Sequence, residues 1–198
     1  MKLKQPTNRR RQGGFTLIEI LIALGVLAVI TAGVVAFFNL SKSKGQVLYN
    51  TMASIASAAD RFDLDTSCYP FQTDLLFDKA AVAGNTANSC GADVSSTWNG
   101  PYMQTKSVDA SGNVEFTQIG PQVTISIVPG SFLPNGSSVQ YAVQANNVPQ
   151  KIAAQAFKSC SGGAATTTSG SNTVAGNCYL GTASGGVNTF GYVFAGNS

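Results

Sequence analysis

The sequence predicts an α+β fold in which a long N-terminal helix packs on an antiparallel β-sheet. Two observations carry this prediction. Apolar and then amphipathic residues with helical spacing occupy about the first third of the chain, whereas alternating apolar and polar residues begin at residue 114. Turn-forming residues separate these alternating segments. At 198 residues the chain is long enough for one globular domain with an appendage.

A short basic segment opens the sequence. Five of the twelve Lys and Arg residues precede Gly13, and seven basic and nine acidic residues follow it, a net charge of −2. With that balance, the chain lacks the excess of positive charge needed to bind a nucleic-acid backbone, so no specific nucleic-acid site is predicted. The basic segment instead indicates a targeting or topology signal.

A long apolar stretch follows. Residues 20–41 are 22 positions without a charge. As a helix they would span about 33 Å, roughly one bilayer core. We therefore predict a transmembrane helix over residues 15–41 with a cytoplasmic N-terminus. A cleaved secretory signal fits less well, because its apolar region is usually about 7–15 residues long and ends at a small-residue cleavage site.

The helical period continues beyond the apolar stretch. Apolar residues recur there at three- and four-residue steps. We expect a single helix from about residue 15 to about residue 65, which Pro70 prevents from continuing. Its second half is amphipathic, with one buried stripe formed by Leu48, Met52, Ile55, Ala59 and Phe62.

The rest of the chain is predicted to contain loops, a sheet and one short helix. Turn-forming sequences predict a loop region over residues 66–113. Period-two segments predict a three-stranded meander over residues 114–145 and a fourth strand over 187–194. Before that strand, Asn147 and Pro149 suit the cap and first turn of a helix. A Gly/Ser/Thr-rich loop is then predicted over residues 161–177.

Four cysteines form an even set in a chain with an export signal, which favours disulfides. They fall into two local pairs, so we favour Cys68 with Cys90 and Cys160 with Cys178. Crossed pairing and free buried thiols are the alternatives. No metal site is predicted, because the chain has no His and neither pair has the short spacing of a zinc knuckle.

The sequence offers little for catalysis. Without His, the usual general base is missing, and neither a P-loop nor a nucleophile elbow occurs. We therefore expect a protein that is not an enzyme, with no catalytic residue and no cofactor. Several acidic residues do cluster in sequence, and we interpret them as a solvated helix end and loop: Asp60, Asp63, Asp65, Asp74 and Asp78.

One carboxylate stands at the start of the apolar stretch. Placing a charged carboxylate at membrane depth costs about 2.5–3.5 kcal/mol of insertion free energy. No basic residue follows Glu19 until Lys42, so the chain offers no nearby partner after it. A cut between Gly14 and Phe15 would create an α-amino group four residues before Glu19. That amine could pair with Glu19 of its own chain or of a neighbouring copy. The second pairing would also fix the axial register of a bundle of copies.

The sequence GGFTLIEILIALGVLAVI resembles the processing and methylation motif of type IV pilins and the related type II secretion pseudopilins. The resemblance implies that residues 1–14 are a leader, that Gly14 is its last residue, and that Phe15 becomes the N-methylated start of the mature chain. It also implies that Glu19 pairs with the N-terminus of a neighbouring subunit.

The resemblance extends to the rest of the chain. It implies a pilin fold with a globular head over residues 42–198, in which Cys160 and Cys178 close a D-region over residues 160–178. The sequence WNGPY, residues 98–102, is similar to a segment found after the helix in pilins and major pseudopilins, or is a turn with a buried aromatic residue.

The function implied is that of a major pilin, polymerised into a type IV pilus for adhesion, motility or DNA uptake. Its expected partners are identical subunits in a helical homopolymer, a prepilin peptidase and methyltransferase, and an inner-membrane assembly platform. The prepilin would lie in the inner membrane before joining an extracellular pilus or a periplasmic pseudopilus. The alternatives are a minor pilin, a type II secretion pseudopilin, and a membrane-anchored adhesin or binding module.

Overall fold

A computed structural model of the chain describes residues 16–37, 40–134 and 139–196. These residues belong to two compact units, which divide after Asn39. The predicted α+β class is confirmed, because N-terminal helices precede a seven-stranded antiparallel sheet.

The first unit contains helix α1, Leu17–Phe37. It begins directly after Thr16, whose carbonyl accepts hydrogen bonds from the amides of Glu19 at 3.0 Å and Ile20 at 3.3 Å. Within residues 16–37, 40–134 and 139–196, no helix is long and apolar enough to cross a membrane. The predicted transmembrane segment therefore stays a prediction.

The sheet lies in the second unit, and all its neighbouring strands are antiparallel. Its spatial order is β1-β2-β3-β7-β6-β5-β4, so the first three strands form the predicted meander and the last strand pairs with the third. The strands are β1 Val114–Glu115, β2 Thr124–Gly130, β3 Gln140–Pro149, β4 Thr167–Ser169, β5 Asn172–Ala175, β6 Cys178–Leu180 and β7 Val187–Gly196.

The prediction of a loop over residues 161–177 is wrong for part of that segment. Strands β4 and β5 form a hairpin there, and β6 connects it to β7. The sequence hides these strands because β4 is a polar edge strand with exposed threonines, so it lacks an apolar alternation. The turns on either side of β5 do have a signal in the sequence, because each begins with a glycine. Gly170 and Gly176 have φ of 57° and 56°, and each opens a two-residue turn between paired strands.

Helix α2, Leu40–Thr66, is the largest helix of the second unit. Its predicted continuity with the preceding residues concerns positions 38 and 39, which lie outside the described residues. The helix packs on β3, β7 and helix α4, Gln150–Ser161. Every residue of the predicted apolar stripe is fully buried: Leu48, Met52, Ile55, Ala59 and Phe62.

Two local predictions need correction. Asn147 does not cap α4, because Pro149 is the N-cap residue. Asn147 lies in β3 with φ of 57°, and its side-chain amide donates to the Gln122 carbonyl at 3.2 Å. The segment 66–113 is not only loop, since it holds a 3-10 turn, Asp74–Leu76, and a short helix α3, Lys79–Val82. The two leucines of the turn and Val82 are buried in the core. The many turn-forming residues around them do not show this burial in the sequence.

Gly45 lets α2 and α4 approach closely. A Cβ at this position would lie 2.7 Å from the backbone nitrogen of Ala156, nearer than real Cβ contacts. The nearest atoms are backbone of α4 and the Cβ of Gln155, which is fixed to that backbone, so none can move aside as the end of a flexible side chain would. The absence of a side chain at Gly45 is therefore a packing requirement.

We expect Gly45→Ala to lower the free energy of unfolding by about 1–3 kcal/mol through overpacking, although alanine favours helix by about 1 kcal/mol. The measurement is thermal or denaturant unfolding of the full chain in detergent, followed by near-ultraviolet circular dichroism. Asn50→Ala, at an exposed position of the same helix, is the matched control and should be neutral or slightly stabilising. Equal stability of the two variants would contradict the close approach.

Candidate functional site

The first turn of α1 holds the carboxylate that the sequence singled out. Glu19 is exposed, and its position in the first turn places a negative charge near the positive end of the helix dipole. Gly14 and Phe15 lie outside the described residues, so cleavage between them and methylation of Phe15 stay predictions.

The side chains around Glu19 are apolar on all sides of α1. Their exposed fractions range from 51% to 78%, so the first unit does not bury them itself. An amphipathic helix would show one apolar stripe, and α1 shows none. Surfaces of this kind mark contact with lipid or with another protein. The residues are Leu17, Ile18, Ile20, Leu21, Ile22, Leu24, Val26, Leu27 and Val29.

Glu19 lies at one end of a shallow groove along α1, which also includes Ile20, Ala23, Leu24 and Leu27. These residues follow steps of three and four, so they share one side of the helix. The small side chain of Ala23 provides the depression between larger neighbours. A helix laid in this groove would bring its own groups beside the carboxylate in a low-dielectric setting, where an opposite charge is strongly attracted.

Two disulfides join different elements of the second unit. Cys68, just after α2, is bonded to Cys90 with a Cα–Cα distance of 5.6 Å. Cys160, in the last turn of α4, is bonded to Cys178 of β6 with a Cα–Cα distance of 6.2 Å. These are the two pairs that the sequence favours. The second bond closes residues 160–178, so it attaches the β4–β5 hairpin and β6 to the helix.

The WNGPY segment attaches the loop region to α2. The Trp98 indole donates to the Leu75 carbonyl at 2.8 Å, and the Tyr102 hydroxyl donates to the Asp65 carboxylate at 2.9 Å. The Tyr102 ring also meets Phe62 edge-on at a centroid distance of 5.8 Å. Burial raises the pKa of Tyr102 to about 12, so its hydroxyl remains a donor at neutral pH.

The acidic residues that cluster in sequence lie in two places: the end of α2, and the 3-10 turn and N-cap of α3 that follow it. Asp60, Asp63 and Asp65 end α2, whereas the Asp78 carboxylate accepts the Ala80 amide at 2.8 Å and so caps α3. Burial raises the pKa of the Asp74 carboxyl. Among the described residues, no group of three acidic or cysteine side chains is placed to hold a metal ion.

Two comparisons with known proteins indicate the family of this chain. Residues 9–35 match the family model described as the prokaryotic N-terminal methylation motif. Type II secretion system core protein G of Pseudomonas aeruginosa is 33% identical to the chain over 108 residues, which are 53% of this chain and 72% of that protein. The chain belongs to the type IV pilin-like family. No solved structure matches this pilin-like chain.

Family membership confirms what the resemblance indicated about the general type of protein. The matched motif includes Gly14, Phe15, Glu19 and most of α1. The chain is therefore a pilin-like or pseudopilin-like subunit that carries a prepilin-type processing and methylation motif.

We expect the double variant Cys160→Ser and Cys178→Ser to lose about 2–4 kcal/mol of stability, because a loop of this length is no longer closed in the unfolded chain. The residues released first should be the β4–β5 hairpin, which backbone amide hydrogen exchange measures directly. Exchange in β2 and β3, which this bond does not touch, is the internal control. Unchanged protection of β4 and β5 would show that the disulfide does not hold the hairpin.

Proposed function

We propose that this protein is the major structural subunit of a type IV pilus, and that it polymerises through α1. The observation that supports the proposal is the apolar surface of α1 over residues 17–29, exposed on all sides, with a single carboxylate in the first turn. Before assembly, the subunit would lie in the inner membrane with its N-terminus in the cytoplasm. A prepilin peptidase and methyltransferase would cut after Gly14 and methylate Phe15. An assembly platform in the inner membrane would then move it into the filament.

The physical argument concerns what can cover α1. Lipid and a bundle of identical helices both surround a helix on every side, whereas a globular partner would cover only one face. Lipid tails are about as apolar as the side chains they contact, so transfer from bilayer to bundle changes the free energy little. A filament core formed in this way can assemble and disassemble reversibly.

Glu19 supplies the specificity that apolar contacts lack. Its carboxylate is costly at membrane depth when unpaired. The α-amino group of a neighbouring mature subunit would neutralise it on assembly and would select one axial register. The proposal gives the protein a structural role and no catalytic one.

The second candidate is a subunit of a periplasmic type II secretion pseudopilus. The similarity to core protein G of a type II secretion system favours it. Both candidates use the same cleavage and the same helix. Abundance in filaments sheared from the cell surface would favour the major pilin, whereas dependence of protein secretion on the chain, without surface filaments, would favour the pseudopilin.

Mass spectrometry of the protein purified from cells tests the processing step. We expect a mature chain that starts at N-methylated Phe15, with residues 1–14 absent. Deletion of the prepilin peptidase should restore the uncut chain. A protein that keeps residues 1–14 in normal cells would contradict assembly by this route and would favour a membrane-anchored binding module.

The variant Glu19→Ala tests assembly separately from processing. It should be inserted and cleaved as usual, yet its yield in sheared filaments should fall at least about ten-fold, because the amine of the neighbour loses its partner. Glu115→Ala, which removes an exposed carboxylate of β1, is the matched control and should assemble normally. Normal filaments of cleaved Glu19→Ala would refute the register argument.

A further inference from the structure

A polar cleft lies between α2 and the segment that follows the WNGPY turn, and the assembly proposal does not use it. Its volume is about 410 Å³, within the usual range for small-molecule sites. The cleft lies wholly in the second unit. Its lining residues are Ser54, Ser57, Ala58, Arg61, Tyr102, Met103, Gln104 and Lys106.

One wall of the cleft is the face of α2 opposite its buried stripe. Ser54, Ser57 and Arg61 follow steps of three and four and therefore share one side of the helix. All three line the cleft, and the two serines add hydroxyl groups to this wall. The Ser57 hydroxyl donates to the Ala53 carbonyl at 3.1 Å, which leaves its oxygen able to accept a hydrogen bond from a ligand.

The other wall is held at both ends. The Tyr102 amide donates to the Leu76 carbonyl at 2.8 Å, and the Glu115 amide donates to the Ser107 carbonyl at 2.9 Å. The Tyr102 ring is fixed further by edge-on contact with Trp98 at 5.7 Å. Gln104 and Lys106 therefore extend from a short segment that is anchored on both sides, which reduces the entropy lost when a ligand binds.

The charges in the cleft have one sign. Arg61 and Lys106 are two of only seven basic residues in the head, residues 42–198, yet they line the same cleft. Among the described residues, none that lines the cleft is acidic. Neither cation forms an ion pair with a described residue. Three acidic residues of α2 flank Arg61 in sequence, Asp60, Asp63 and Asp65, and none of them lines the cleft. The Tyr102 hydroxyl donates to the Asp65 carboxylate.

We propose that this cleft binds an acidic sugar, with Arg61 and Lys106 recognising its carboxylate. The Arg61 guanidinium can bind a carboxylate with two parallel hydrogen bonds, and Lys106 adds a second positive charge. The hydroxyls of Ser54 and Ser57 and the Gln104 amide can bind the ring hydroxyls. The half-buried ring of Tyr102 offers an apolar surface to the face of the sugar.

The composition of the head argues against a long polyanion such as nucleic acid. Residues 42–198 carry seven basic and eight acidic residues, and only two of the cations share this cleft. A nucleic-acid backbone needs a longer cationic track. A purely apolar ligand is equally unsuited, because most of the lining side chains are polar. A single carboxylate on a ligand rich in hydroxyl groups fits both the charge and the lining.

The test uses the full-length chain in detergent and three ligands: galacturonate, galactose and inorganic phosphate. Saturation-transfer NMR titrations give the dissociation constants. Galacturonate should bind at least about ten-fold more tightly than galactose, because galactose lacks the carboxylate that accepts the charge-assisted hydrogen bonds. It should also bind more tightly than phosphate, and higher ionic strength should weaken its binding.

Arg61→Gln should weaken galacturonate binding at least about ten-fold, and Lys106→Gln should weaken it by a smaller factor. Lys79→Gln removes an exposed lysine of α3 and is the matched control, with binding unchanged. Circular dichroism of each variant confirms folding. The proposal is overturned if galactose or phosphate binds as well as galacturonate, or if folded Arg61→Gln binds galacturonate like the unmodified chain.

Discussion

The burial of one face of α2 organises the head of this protein. Leu48, Met52, Ile55 and Phe62 are inaccessible to solvent, and the helix carrying them contacts both the central strands and α4. Each fully buried side chain of this size contributes about 1.5–3 kcal/mol of hydrophobic free energy. Because that stripe fixes the rotation of α2, it also fixes which residues face outward. The cleft around Arg61 exists because the core has determined the orientation of the helix.

Polar contacts hold the loop region in place. Thr73 is fully buried, and its hydroxyl donates to the Gly112 carbonyl and accepts from the Val114 amide, each at 2.8 Å. A hydroxyl satisfied in both roles joins the start of the loop region to the first strand of the sheet. Together with Trp98 and Tyr102, it holds a long segment of little regular structure against the core. Ordering that segment makes a defined cleft possible.

Features with a local or periodic signal were predictable from the sequence. The stripe of α2 has a helical period, and the meander from β1 to β3 alternates every second residue. The two disulfides join cysteines that are near in sequence. Strand β4 has no apolar pattern because it is an edge strand that meets solvent, and β5 is too short, at four residues, to show one; only their turn glycines indicated them. Arg61 and Lys106 are 45 positions apart in sequence, and only the anchored segment after Tyr102 brings them into one cleft. No spacing rule encodes that proximity.

The two long helices respond to opposite physical demands. The stripe of α2 is buried within its own unit, so the remaining surface of the helix can be polar. The large apolar side chains of α1 over residues 17–29 remain more than half exposed in its own unit, so their burial must come from outside it. An environment that covers every side of a helix cannot select one orientation by apolar contact alone. A single charged group must then provide the selectivity, and Glu19 is the only charged residue between Arg11 and Lys42. In the proposed filament, the position of one carboxylate in the sequence therefore determines the register that α1 adopts with its neighbours, while the stripe of α2 determines which residues of the head face outward.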